Sequence, residues 1–166
     1  HPMVHILPHW NWEIHKSYQQ VVDKYGDIPV RVYSNAGSVE LFLNGKSQGK
    51  KTFQEKWTSD GRKYQEGEGY DQLYLEWRLP YQPGELRAVA YDHQGRLVAE
   101  DRVVAAGKPA KIRLHSEKSQ LELDGQDLLY LYFDVLDKDG NWVPTASNQL
   151  HTLPRASLRF PTGSDI

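Results

Sequence analysis

The stretch IPVRVYSNAGSVELFLNGKSQGKKTF, residues 28–53, limits what this chain can fold into. Val30 and Val32 alternate with Arg31 and Tyr33, the period of two expected of a half-buried strand. Ser34-Asn35-Ala36-Gly37 is a turn cluster, after which Val39, Leu41 and Leu43 share one face. Asn44-Gly45 follows directly. Both residues tolerate positive φ, so the pair predicts a tight type I′ turn, with Lys46 to Phe53 as the return strand. The result is an antiparallel meander. So small a sheet cannot bury its own apolar face, so the rest of the chain must supply a second layer.

The remaining pattern supplies strands. Val4 and Ile6 alternate in MVHILPHWNW, and Pro8 cannot donate to a ladder, which makes this an edge or terminal strand. Residues 13–27 are polar, with poor apolar spacing, and read as a loop that could hold one helical turn around Ser17 to Val22. Residues 54–71 carry only Trp57, Tyr64 and Tyr70 as anchors and read as a long loop without clear periodicity. Leu73, Leu75, Trp77 and Leu79 then share a face. A turn at Tyr81-Gln82-Pro83-Gly84 leads to a strand with Leu86, Ala88 and Ala90 inward. Asp92-His93-Gln94-Gly95 turns the chain into residues 96–106, where Leu97, Ala99, Val103 and Ala105 are candidate core positions.

Gly107-Lys108-Pro109 reads as a boundary, and the pattern restarts with Ala110, Ile112 and Leu114. Leu129, Leu131, Phe133 and Val135 predict an inward face opposite Tyr130 and Tyr132. The tail from Asn148 has no strong period. Short strands at regular spacing, with turns between them and no convincing helix, predict an all-β fold. Residues 1–107 hold enough strands for one immunoglobulin-like β-sandwich. Residues 108–166 hold three or four, a second, short or incomplete immunoglobulin-like unit of marginal independent stability.

Composition narrows the function. The net charge is −2 over 166 residues, and the sequence pI is near 6.4. This argues against a nucleic-acid module, which shows a basic face. Lys46, Lys50 and Lys51 fit a solvated strand edge better than an anion site. No apolar run approaches the length of a membrane span. Cysteine is absent, which removes disulfides, thiol catalysis and thiolate metal sites and fits the cytosol and secretion equally. No signal peptide is visible, and His1-Pro2-Met3 reads as the interior of a longer protein.

Glu66 and Glu68, and Glu100 with Asp101, are the paired carboxylates that acid–base chemistry would need, and they read best as surface charges. His1, His5, His9 and His15 crowd the N-terminus without the carboxylate or thiolate partners that would complete a zinc site; His9 is expected to pack beside Trp10 and bond to backbone. Asp137-Lys138-Asp139-Gly140-Asn141 echoes a calcium loop, but Ala146 stands where the closing glutamate belongs, which leaves a β-turn. No cofactor fingerprint is present. Aromatic rings stack on the apolar faces of pyranoses, so Trp10, Trp12, Trp57, Tyr64 and Tyr70 are the candidate carbohydrate contacts, with core packing as the competing role.

The phrases PHWNW, VELFLNGKSQG and YQPGELRAVAYD together resemble the β-sandwich module that follows the catalytic barrel in bacterial family-2 glycoside hydrolases, chiefly β-galactosidases. The resemblance covers residues 1–107. Residues 108 to about 147 resemble the start of the next immunoglobulin-like module, and HTLPRASLRFPTGSDI departs from it. The resemblance implies a retaining mechanism with two glutamates on the preceding barrel, to which no position here corresponds. It therefore implies no catalytic residue and no cofactor, with the barrel of the same parent chain as partner. The parent's location stays open among extracellular, periplasmic and cell-surface. The expected role is a non-catalytic accessory region, and the alternatives are a carbohydrate-binding module and a plain spacer repeat.

Overall fold

The computed structural model describes residues 1–12, 20, 27–68, 73–120, 126 and 128–151. Among them are eleven strands: β1 (Val4–Leu7), β2 (Ile28–Ser34), β3 (Ser38–Leu43), β4 (Lys46–Thr52), β5 (Gln54–Trp57), β6 (Lys63–Glu66), β7 (Leu75–Leu79), β8 (Glu85–Tyr91), β9 (Leu97–Val104), β10 (Lys111–Ser116) and β11 (Leu131–Leu136). One sheet has the order β1-β2-β7 and a second the order β4-β3-β8-β9. Every pairing in both is antiparallel.

The core lies between these two sheets. Val30 pairs with Trp77 and Val32 with Leu75 on one side; Leu41 pairs with Ala88 and Leu43 with Leu86 on the other. All of these side chains are buried in one cluster. The expected meander is therefore split, with β2 in one sheet and β3-β4 in the other, so each hydrophobic face becomes the other's cover. Asn44 and Gly45 have φ of 51° and 77°, as a type I′ turn requires.

The edges of the sheets are joined by side chains. The Ile6 backbone N–H on β1 donates to Asp101 Oδ2 on β9 at 2.8 Å. On the opposite side Trp77 Nε1 on β7 donates to the Gly49 carbonyl on β4 at 3.2 Å. Each bond occupies an edge group that would otherwise be open to another strand. Lys46 and Lys50 keep β4 charged and exposed.

Four further features differ from expectation. Residues 54–66 form a hairpin, β5-β6, rather than an irregular loop. Its turn is closed by Thr58 N to Arg62 O and Gly61 N to Thr58 O, with Gly61 at φ 82°. Both faces are largely exposed, so no apolar period announced it. Leu73 lies outside β7 and is exposed, because the inward face starts at Leu75. Leu97 is exposed at the start of β9, where the pairing register shifts. Leu129, Leu131 and Phe133 are 40%, 52% and 41% exposed, as are Ile112 and Leu114 across the β10-β11 ladder. No second sheet covers that face among the described residues. The helical turn considered around Ser17 to Val22 lies, apart from Gln20, outside the described residues.

Candidate functional site

The junction after β9 concentrates the buried polar groups. Asn11 is 3% exposed. Its Oδ1 accepts from Ala106 N at 3.1 Å and its Nδ2 donates to Ala106 O at 2.9 Å. One residue on, the Gly107 N–H donates to Asp137 Oδ2 at 2.9 Å. Asp137 also accepts from Asp139 N, Asn141 N and Asn141 Nδ2 at 2.8–3.0 Å. The turn-forming sequence Asp-Lys-Asp-Gly-Asn thus spends its first carboxylate on backbone donors, and Gly140 takes the φ of 89° the turn needs. The donor set, Gly107 N–H foremost, holds the Asp137 carboxyl down at about 2. Among the described residues no group of three or more His, Cys, Asp or Glu is placed to hold a metal ion.

Beside this junction lies a cleft of about 560 Å³, between β1 and β9 on one side and residues 141–144 on the other. Trp142 lines it and is 58% exposed. Its backbone is fixed by a bridge to Leu136, and Val143 N donates to Val135 O at 2.8 Å. His5 and Leu7, the outward residues of β1, form the facing wall with Asp101 and Arg102. Asp101 Oδ2 is 3.4 Å from His5 Nδ1. Asp101 Oδ1 accepts from Arg102 N, and the Arg102 guanidinium pairs with Glu85 at 3.3 Å.

The aromatic residues singled out in the sequence fall in different places. Trp10 is fully buried, donates from Nε1 to Gln82 O at 2.8 Å, and packs against Tyr81. Trp12 is 7% exposed, with its ring 5.3 Å from that of His9. His9 Nδ1 accepts from Asn11 N. Trp57 and Tyr64 are exposed on the β5-β6 hairpin. Trp57 pairs with Lys63 and Tyr64 with Lys56, so the two rings occupy opposite faces of that ladder. Tyr70 lies outside the described residues. These positions do not assemble one exposed platform among the described residues.

The carboxylates are engaged singly. Glu68 pairs with Lys51 and Glu66 with Lys56; Glu100 pairs with Arg87. In the sequence Trp142 carries no distinct site signal, because it follows a turn and reads as the start of another strand. The only cue is a large aromatic directly after Asp-Gly-Asn, a place where a ring is readily left outside the core.

Comparison with known proteins gives this geometry a context. Residues 26–99 match a family described as a domain of unknown function (DUF4982). The chain is 37% identical over 146 residues to the β-galactosidase BoGH2A of Bacteroides ovatus, a match covering 88% of this chain and 14% of that protein. It superposes on the crystal structure of a β-glycosidase from Bacteroides vulgatus with a TM-score of 0.65 at 33% identity, covering 89% of this chain and 16% of that one. A family-2 glycosyl hydrolase from Bacteroides cellulosilyticus gives 0.58 at 32% identity, over 85% and 18%. The chain therefore spans about one-seventh of the length of that first relative. Over most of its own length it is homologous to one all-β portion of family-2 glycoside hydrolases.

Proposed function

We propose that this chain is a non-catalytic bracing region of a β-galactosidase-like enzyme. Residues 1–107 form the sandwich that supports the catalytic barrel of the same parent chain, and residues 108–166 begin a second β unit. The observation that carries this reading is the two-sided grip on the junction: Asn11 holds Ala106 from the sandwich, and Asp137 holds Gly107 from beyond it. A flexible tether needs no such bonds. Buried, fully bonded polar groups of this kind favour one arrangement over many.

The test is activity. The isolated chain should leave nitrophenyl β-galactoside intact, because a retaining mechanism needs two carboxyl groups flanking the scissile bond. In the parent enzyme, Asn11→Ala should lower thermal stability and leave the substrate's KM within about twofold. Turnover that copurifies with the isolated chain contradicts the proposal.

A further inference from the structure

We infer that the cleft beside Trp142 is a saccharide-binding subsite. Three features converge there. The Trp142 indole is exposed, and its backbone is pinned on both sides, so the ring is presented from a fixed point of the backbone. Such a ring offers an apolar face for the C–H face of a pyranose, with Leu7, 45% exposed, on the opposing wall. His5 and Arg102 add polar groups of complementary kind. The His5 imidazole, with Asp101 Oδ2 3.4 Å from its Nδ1, offers ring nitrogens that pair with a hydroxyl. The Arg102 side chain is 61% exposed and meets Glu85 through Nε, leaving further N–H donors for hydroxyl oxygens. A sugar hydroxyl both donates and accepts, so this pairing suits it. The volume, about 560 Å³, lies within the range of small-ligand sites and accommodates one or two sugar rings.

The choice of probe sugars rests on the glycoside-hydrolase reading, whereas the site itself stands on the geometry. The experiment reads binding and not turnover, so its failure is distinct from failure of the bracing role. The 15N-labelled 166-residue chain is titrated with lactose, galactobiose, cellobiose and methyl β-glucuronide to tens of millimolar. The indole N–H signals are assigned by substitution. We expect at least one sugar to shift the Trp142 indole signal with a millimolar dissociation constant. Trp142→Ala should abolish the binding, Trp142→Tyr should retain it within about fivefold, and His5→Ala should weaken it severalfold, with melting temperatures near that of the parent chain. An unmoved Trp142 signal with all four sugars overturns the inference. So does binding that persists in Trp142→Ala, or shifts confined to the Trp57 and Tyr64 hairpin. Should Trp142→Ala not fold, the Tyr and His5 variants decide between the same outcomes.

Discussion

The Asp137 carboxylate accepts a hydrogen bond from the Gly107 backbone N–H at 2.9 Å, across 30 residues of sequence. With the Asn11 amide on Ala106, it holds both residues of the Ala106-Gly107 step between β9 and β10.

That bond has a pH signature. The Asp137 carboxyl is depressed to about 2, below the ordinary aspartate value near 3.9. A depressed carboxyl contributes stability that is fully present above the unfolded value and is lost as pH falls through the folded one. The junction should therefore loosen between about pH 4 and pH 2. Asp134, held down chiefly by Arg113, and Asp92, held down chiefly by the Arg96 backbone, titrate in the same direction. The comparison that isolates Asp137 is Asp137→Asn: its Gly107 amide should have a low protection factor already at neutral pH, and that factor should change little on acidification. Protection of Gly107 that is equal in both proteins at pH 7 would exclude the clamp.

Leu41 is fully buried and faces the opposite sheet. Leu41→Ala should cost about 2–5 kcal/mol in urea unfolding. A loss below about half a kcal/mol would mean that the inward face is wrongly assigned, since a one-residue slip in register exchanges the two faces of a strand.

Two glycines test the turns. Gly45→Val puts a β-branched residue at φ 77° and should cost roughly 1–3 kcal/mol. Gly84→Ala should cost more. A Cβ there would sit 1.9 Å from Asn44 Oδ1, and that amide accepts from Glu85 N and donates to Pro83 O. The added methyl thus displaces the side chain joining the two turns. Equal unfolding midpoints for Gly84→Ala and wild type would contradict this arrangement.

What the sequence reveals follows from where each side chain ends up. Val30 and Val32 flank Arg31, and Leu75, Trp77 and Leu79 alternate with Glu76 and Arg78, because one face of each strand is buried, and that alternation is visible without coordinates. Asn44-Gly45 announces its own turn, because few residue pairs accept positive φ twice. The β5-β6 hairpin is silent because neither face is buried. Leu129, Leu131 and Phe133 mislead for the opposite reason: they alternate as core residues do, yet no described element covers them. The clamp and the Trp142 cleft depend on contacts between distant segments, Asn11 with Ala106 and Asp137 with Gly107, which no local period encodes.

The exposed apolar face of β10-β11 predicts dependence on a neighbour. A two-stranded ladder is marginal alone. Residues 108–166 expressed separately should give a poorly dispersed proton–nitrogen spectrum and no cooperative thermal transition. A well-dispersed spectrum from a monomer with a sharp transition would show a self-sufficient unit.

The most direct test of a rigid junction between β9 and β10, on which the bracing proposal rests, is orientation. Residual dipolar couplings from β1–β4 and β7–β9 define one alignment tensor, and those from β10 and β11 a second. In the wild-type chain the two tensors should agree in magnitude and direction. In the double variant Asn11→Ala, Asp137→Ala they should diverge, with reduced magnitude for the β10-β11 ladder. Divergent tensors in the wild-type chain would contradict a braced junction and leave a flexible tether in its place.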